Sequence, residues 1–239
     1  ITLLPAGNDP LAVWNSGILE TAQAGTLFVD CSTIDVASAR AAHALANAAG
    51  MASLDAPVSG GVSGAEAASL TFMCGGSTSA FAAAKPWLEA MGRKIVHCGD
   101  AGAGQSAKIC NNMILAISMI AVSEAFVLAE KLGLSHQALF DVASTSSGQC
   151  WSLTSYCPVP GPVPAAPSNR GYKPGFSSAL MLKDLKLAQE AAAAAGATTP
   201  LGAAATQVYA MHNAWGEGGA DFSGIIHLIR GKSESGNRG

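Results

Sequence analysis

Charged residues are scarce in this chain: only 12% of its 239 residues are Asp, Glu, Lys or Arg, and the net charge is −3. The chain has no basic stripe and no run of like charges, which argues against nucleic acid as a partner. Aromatic residues make up only 6%, whereas 49% are hydrophobic, with abundant Ala and Gly. This composition suits one or two globular domains with sizeable cores. Because small residues let helices pack closely, we also expect a subunit interface and a homo-oligomer, either a dimer or a tetramer.

The cysteines and histidines of the sequence indicate neither a metal site nor a disulfide framework. The six cysteines form no Cys-x-x-Cys pair, and no two of the five histidines stand four residues apart. The sequence opens without a signal peptide, so we expect reduced thiols in a reducing compartment. The expected location is therefore intracellular and soluble: the mitochondrial matrix in a eukaryote, or the cytoplasm in a bacterium.

The order of strands and helices predicts an α/β protein in two parts. Residues 1–99 alternate short apolar strands with helices, which is typical of a doubly wound parallel sheet in a partial Rossmann-type domain. Residues 100–231 show no convincing strand and are predicted to form an all-α helical domain, followed by a disordered tail at 232–239. Since the chain opens at what reads as a strand in progress, we expect the natural protein to begin earlier.

The apolar run from Met113 to Ala129 resembles a membrane span. It is shorter than the ~20 residues that a span needs, and it contains Glu124 and two serines. We therefore predict the buried helix of a soluble core and no membrane partner.

A strand followed by a glycine-rich turn, Asp55 to Gly61 (DAPVSGG), is the first candidate for ligand binding. Ser59, Gly60 and Gly61 offer successive backbone N–H groups with little side chain in the way, which suits an anion. Ligands of open α/β sheets bind at the carboxyl ends of strands. The same residues also suit an ordinary tight turn.

Two other predicted strand ends carry groups that suit a cofactor. Leu4 and Pro5 end the first strand, and Thr33 ends the next one, TLFVDCST. Both ends would face the same crevice, where hydroxyl and backbone groups could hold a dinucleotide. Ordinary turn chemistry is the alternative for these residues.

A long apolar helix that begins after Gly102 carries two polar residues, Lys108 and Asn112, on one face. Burial disfavours the charged form of a lysine, and such a lysine can take or give a proton near neutral pH. Asn112 could orient a hydroxyl or a carboxylate of a substrate. The alternative is a lysine that reaches to the surface, but amides such as Asn112 are costly to bury without a partner.

A later helix, Leu180 to Ala195, contains the pair Lys183 and Asp184. Lys183 shares a helix face with Leu187, so its side chain is predicted to point inward. Taken alone, the pair is better explained by a solvated, charged helix face.

Three motifs, DAPVSGG, GAGQSAKICNN and LKDLKLAQ, occur in an order that resembles the β-hydroxyacid dehydrogenase family. The resemblance extends through LTFMCGG, ISMIAVSEAF and a long segment with six prolines, Ser146 to Phe176, and it covers residues 1 to 230. The proline-rich segment is similar to that of the family members that act on 3-hydroxyisobutyrate.

This resemblance implies an enzyme that oxidises 3-hydroxyisobutyrate to methylmalonate semialdehyde with NAD⁺, a step of valine breakdown that needs no metal. It implies that Lys108 is the general base and that the nicotinamide takes the hydride. The substrate would be bound by Asn112 and by Ser59, Gly60 and Gly61. The residues implied to contact the cofactor are Leu4, Pro5, Thr33 and Lys183, with Asp184 fixing Lys183.

The chain departs from the family pattern in three places. The family's glycine-rich dinucleotide fingerprint is absent, so we expect the 239 residues alone to bind cofactor poorly and to be inactive. Ala68 stands where the family usually has glycine, and alanine fits there if φ is negative. The AGNDP loop is shorter than is usual in the family, so the family's asparagine contact falls on either Asn8 or Asp9.

Two alternative functions are compatible with the same residues. One keeps the chemistry with another short β-hydroxyacid, as in tartronate semialdehyde reductase. The other is a non-catalytic member or fragment of the family, and the presence of Lys108 favours the enzyme over it. The shortage of basic residues argues against a sugar phosphate as the substrate.

Overall fold

The computed structural model describes residues 1–4 and 8–231, without the side chains of residues 8–10 and 15. Its strands in the described part of the chain are β1 (Leu27–Asp30), β2 (Ala52–Asp55), β3 (Val58–Ser59), β4 (Leu70–Gly75) and β5 (Gly92–Gly99). The helices are α1 (Asn8–Val13), α2 (Leu19–Thr21), α3 (Val36–Ala48), α4 (Gly61–Glu66), α5 (Thr78–Glu89), α6 (Ala103–Lys131), α7 (His136–Ala143), α8 (Trp151–Thr154), α9 (Ser178–Ala195), α10 (Pro200–Ala214) and α11 (Ile225–Arg230). A π-helical turn, Trp14–Ile18, joins α1 to α2, and 3₁₀ turns cover Pro167–Arg170, Glu217–Gly219 and Phe222–Gly224.

The chain divides into two compact units, Ile1–Asn111 with Ala193–Ala195, and Asn112–Ala192 with the residues from Gly196 on. All five strands belong to the first unit, and the described residues of the second unit form helices, turns and loops. The predicted class, a partial Rossmann-type sheet followed by helices, is confirmed. The division falls within α6, whereas the predicted boundary lies before it, between residues 99 and 100; that boundary stays a prediction.

The sheet is mixed in direction. β1 pairs with β2 and β4 pairs with β5 in parallel, and Thr2 forms a parallel bridge with Asp30. β4 runs antiparallel to both β2 and β3. The connections explain these directions: the parallel pairs are each joined by a crossover helix, α3 or α5, whereas β3 turns back directly onto β4 after the six-residue α4.

Ala68 has a left-handed backbone conformation. It therefore lacks the negative φ with which an alanine fits at this position. Its φ is 48°, immediately after α4 ends. The Ser69 N–H donates to the Gly64 C=O at 2.8 Å, which is the bond of a Schellman helix end. This geometry forces a positive φ on Ala68, the second residue after α4, and glycine adopts such a φ without strain.

Both faces of the sheet are covered in the first unit. Because successive side chains of a strand point to opposite faces, Phe28 and Val29 of β1 enter different cores. Val29 packs in a cluster with Phe72 of β4 and Leu88 of α5. Phe28 packs in a second cluster with Trp14, at 5.2 Å between ring centroids.

The core of the second unit is built on α6. Met119 of α6 packs with Met181 of α9 and Tyr209 of α10, and all three are fully buried. By length and composition α6 is apolar enough to cross a membrane, a property that the core helix of a soluble protein shares.

The proline-rich segment is packed against the second unit's core. Val159 and Cys157 are fully buried. Asp221, just before α11, accepts hydrogen bonds from the Tyr156 hydroxyl at 2.8 Å and from the Gly175 N–H at 2.9 Å. One buried carboxylate therefore joins two positions of the segment that are 19 residues apart.

Candidate active site

Lys108 lies next to the predicted substrate loop. It stands in the second turn of α6, its side chain is 7% exposed, and its Nζ donates to the Val58 C=O at 2.8 Å. Val58 immediately precedes Ser59 and Gly60. The structure thus brings the predicted base and the predicted carboxylate loop together.

The substrate loop has the backbone conformation that its glycines permit. Gly60 has a φ of 134° and Gly61 a φ of 61°, values that side-chain-bearing residues rarely adopt. A Cβ at Gly60 would lie 3.1 Å from Leu70 Cδ2. Ser59, in β3, is half-buried beside them. Both glycines are exposed, so a small ligand can approach their backbone N–H groups.

Two of the predicted cofactor residues lie at neighbouring strand ends. The Leu4 N–H donates to Ser32 Oγ at 2.7 Å, and Ser32 is the residue before Thr33. These residues follow the parallel pairing of Thr2 with Asp30, at the edge where dinucleotides bind in Rossmann-type sheets. This placement fits a dinucleotide.

Pro5 lies outside the described residues, as do the side chains of Asn8 and Asp9.

Asp55, which the motif analysis gave no role, holds the start of α6. Its Oδ1 accepts from the Gly102 N–H at 2.8 Å, and its Oδ2 accepts from the Gln105 N–H at 2.9 Å. A carboxylate that satisfies the first N–H groups of a helix stabilises its N-terminus. The only sign of this role in the sequence was the acidic residue of DAPVSGG, because Asp55 and the helix that it caps are far apart in sequence.

In the second unit, Asn112 and Asp184 form a buried pair. Asn112 Nδ2 donates to Asp184 Oδ2 at 2.6 Å, and both side chains are 2% exposed. Lys183 Nζ lies 3.8 Å from Asp184 Oδ1. Asp184 therefore lies beside Lys183 and also fixes the amide of Asn112, a contact that the sequence did not predict.

Within residues 1–4 and 8–231, no group of three His, Cys, Asp or Glu side chains is placed to hold a metal ion. The cysteines in that part of the chain are all free thiols. Burial raises the pKa of the Cys31 and Cys74 thiols to about 12, so neither forms a thiolate near neutral pH. Among the groups described so far, Lys108 is the one placed to exchange a proton at the substrate loop.

Two family models match the chain, one for each part. Residues 1–99 match the NAD-binding domain of 6-phosphogluconate dehydrogenase. Residues 102–229 match a family described as NAD-binding of NADP-dependent 3-hydroxyisobutyrate dehydrogenase. The two matches meet at the start of α6.

Several known proteins and solved structures are similar over nearly the whole chain. A probable 3-hydroxyisobutyrate dehydrogenase of Mycobacterium tuberculosis is 55% identical over 98% of this chain and 79% of its own length. An NAD-dependent L-serine dehydrogenase of Pseudomonas aeruginosa is 47% identical over 96% of this chain and 78% of its own length. The solved structure of M. tuberculosis 3-hydroxyisobutyrate dehydrogenase with L-serine is 56% identical, with a TM-score of 0.93, covering 96% of this chain and 78% of that one. Relatives include bacterial enzymes and enzymes named as mitochondrial.

A Rossmann-type α/β unit followed by a helical unit, with matches to NAD-binding families in both, defines an NAD-binding oxidoreductase of the two-domain class. The resemblance inferred from the three motifs is confirmed. The chain belongs to the β-hydroxyacid dehydrogenase family, alongside the 3-hydroxyisobutyrate dehydrogenases.

Proposed function

We propose that this protein oxidises 3-hydroxyisobutyrate to methylmalonate semialdehyde with NAD⁺, in valine breakdown, and that Lys108 is its general base. One observation carries the proposal: a buried lysine whose Nζ lies 2.8 Å from the Val58 C=O, at the head of the Ser59–Gly61 loop. Relatives that carry the 3-hydroxyisobutyrate dehydrogenase name at 55% identity support the substrate.

The reaction removes two hydrogens from the alcohol carbon and its oxygen. When bound, NAD⁺ supplies the acceptor for the hydride. Lys108 Nζ, in its neutral form, takes the hydroxyl proton as the C–H bond breaks, so that the aldehyde forms without a charged alkoxide. Val58 fixes Nζ through its carbonyl oxygen, and the base is thereby aimed at the loop.

The remaining site residues hold the two reactants. Ser59, Gly60 and Gly61 bind the substrate carboxylate through the Ser59 hydroxyl and backbone N–H groups. Asn112, with its amide oriented by Asp184, donates to or accepts from the substrate. The residues that would hold the cofactor are Leu4, Pro5, Thr33 and Lys183.

L-Serine is the second candidate substrate, because one 47% identical relative is named as an L-serine dehydrogenase and a 56% identical relative was solved with L-serine. The two compounds share the carboxylate and the primary alcohol, and they differ at C2, where one has a methyl group and the other an ammonium group. The same base and the same carboxylate loop serve both. Specificity therefore depends on what surrounds C2: apolar surroundings favour the methyl group, and acidic or polar surroundings favour the ammonium group.

A substrate panel with the full-length protein tests this proposal. Formation of NADH is followed with 3-hydroxyisobutyrate, L-serine and other short β-hydroxyacids, with NAD⁺ and NADP⁺ in parallel. We expect the highest kcat/KM for 3-hydroxyisobutyrate with NAD⁺. A higher kcat/KM for L-serine would replace the substrate, and no turnover of any β-hydroxyacid would contradict the enzyme assignment.

We also propose that the protein is a homo-oligomer without a nucleic-acid or membrane partner, located in the mitochondrial matrix or the bacterial cytoplasm. Large apolar side chains on the helical unit support the oligomer: Ile114 and Leu128 of α6 are 66% and 59% exposed, and Leu201 of α10 is 65% exposed. Apolar surfaces of this kind are typical of protein interfaces.

A further inference from the structure

The amide of Gln105 clamps the backbone on both sides of Thr33. Gln105 is fully buried in the first turn of α6. Its Nε2 donates to the Ser32 C=O at 2.7 Å, and its Oε1 accepts from the Ile34 N–H at 3.1 Å. The only residue between these two contacts is Thr33, the proposed cofactor contact. A glutamine that uses donor and acceptor together fixes both the position and the orientation of that loop.

The carboxylate of Asp55 sits in a space that only glycines leave open. A Cβ at Gly75 would lie 2.4 Å from Asp55 Oδ1, and a Cβ at Gly104 would lie 2.7 Å from Asp55 Oδ2. The same carboxylate binds the Gly102 and Gln105 N–H groups. The end of β2 and the start of α6 are therefore held at a distance that no side chain at either glycine allows.

His43 and Ser53 support this carboxylate from the other side. His43 Nε2 donates to Asp55 Oδ1 at 2.9 Å, and Ser53 Oγ lies 2.7 Å from His43 Nδ1. The three residues have the composition of a hydrolytic triad, but Ser53, His43 and Asp55 are 3%, 6% and 2% exposed. No substrate can reach this serine, so the chain of hydrogen bonds orients Asp55.

We propose that Asp55 and Gln105 are positioning residues at the N-terminal end of α6. Asp55 positions Lys108 and Val58, and Gln105 positions Thr33. Asp55 lies three residues before Val58, and it binds the N–H of Gln105, which lies one turn before Lys108. One carboxylate thus fixes both partners of the Lys108–Val58 contact. Gln105, in turn, fixes Thr33 for the cofactor. This inference rests on the proposed function.

Two variants are expected to separate these roles by kinetics. Gln105→Met keeps the backbone bond to Asp55 and loses both amide contacts, so the KM for NAD⁺ rises about tenfold while kcat changes less than threefold. Asp55→Asn loosens the start of α6, and since a displacement of about 1 Å can cost 10²-fold, kcat falls more than tenfold, a loss that Gln105→Met does not share.

Ser77→Ala is the matched control, because Ser77 caps α5 of the same unit through the Ala80 N–H at 3.1 Å. It lowers the melting temperature and leaves kcat and KM unchanged. Should Asp55→Asn fail to fold, His43→Leu lowers kcat in the same way, and His43→Gln, which keeps an N–H donor, restores it. Losses of kcat and KM that merely follow the melting temperature in all variants would overturn the proposal.

Binding of NAD⁺ to the full-length protein, measured by calorimetry, separates this inference from the proposed substrate. If the wild type binds NAD⁺ but oxidises no β-hydroxyacid, the proposed function is wrong. Gln105→Met must still weaken NAD⁺ binding about tenfold, since that contact does not depend on the substrate. Equal NAD⁺ affinity in the wild type and Gln105→Met would overturn the role of Gln105.

Discussion

The backbone of Ala68 has a conformation that is strained for a residue with a side chain. Its φ of 48° belongs to the left-handed region, where a Cβ costs roughly 1–2 kcal/mol. The preceding residue, Ala67, has a φ of −87°, which any residue adopts. Two adjacent alanines thus offer a matched test of local strain.

Replacement of Ala68 by glycine is expected to stabilise the protein. Relief of the left-handed strain exceeds the entropy that glycine loses on folding, so the free energy of unfolding rises by about 0.5–1 kcal/mol. Denaturant unfolding measures the change. Ala67→Gly is the control and lowers the stability by a similar amount. Equal destabilisation by both glycines would show that residue 68 is unstrained.

An ion pair between Glu130 and Arg230 joins two helices, α6 and α11. Glu130 stands in the last turn of α6, where the helix dipole disfavours an acid. Arg230 Nε donates to Glu130 Oε2 at 3.0 Å, and His136 Nε2 lies 2.7 Å from Glu130 Oε1. The hydrogen bonds from Arg230, with a further bond from His136, lower the pKa of Glu130 to about 2.

Glu130→Gln is expected to lower the stability by about 1–3 kcal/mol at pH 7 and to change its pH dependence. The folded pKa of Glu130 is about 2 against an ordinary value of 4.5, so its contribution is complete above pH 4.5 and is lost as the pH falls through about 2. The free energy of unfolding, measured at several pH values in that window, should change less with pH in the variant than in the wild type.

Glu124→Gln, an exposed acid on the same helix, is the control and should leave the acid limb of stability unchanged. An unchanged acid limb in Glu130→Gln itself would contradict the assigned role of the ion pair.

Signals that are local in the sequence predicted the helices and strands. They did not predict the contacts between residues far apart in the sequence. Asp35 and Ser135 are examples of a local signal, because each stands directly before a helix and accepts an N–H bond from that helix's first turn. The Asp55–Gln105 and Asn112–Asp184 bonds join residues 50 and 72 positions apart. Nothing in the spacing of these residues indicates which donor meets which acceptor.

The direction of the strands shows the same limit. Apolar runs predicted where strands occur, and the alternation of strands with helices indicated a parallel sheet. The return of β3 onto β4 depends on two residues, Val58 and Ser59, a run too short to carry a period of its own. Such a pair forms because its neighbours hold it in place.

At the scale of the whole molecule, the exposed apolar side chains of α6 and α10 predict an oligomer. Leu128 and Leu201 are 59% and 65% exposed. We expect the wild type to have two or four times its subunit mass in solution at micromolar concentration. Leu128→Lys combined with Leu201→Lys is expected to give monomers, because a buried unpaired charge is costly.

Trp87→Lys, at an exposed apolar position of the sheet unit, is the control and should keep the oligomer intact. Mass photometry distinguishes these outcomes. A monomeric wild type would contradict the predicted oligomer.

The role of Lys108 as the general base is tested by Lys108→Ala in the full-length protein, with Lys131→Ala at the other end of α6 as the control. Turnover of 3-hydroxyisobutyrate with NAD⁺, NAD⁺ affinity and melting temperature are measured for each variant. We expect Lys108→Ala to lose about 10²–10⁴-fold in kcat, with its fold and NAD⁺ affinity largely intact, and Lys131→Ala to match the wild type. Activity of Lys108→Ala within tenfold of the wild type would contradict the assignment of Lys108 as the general base.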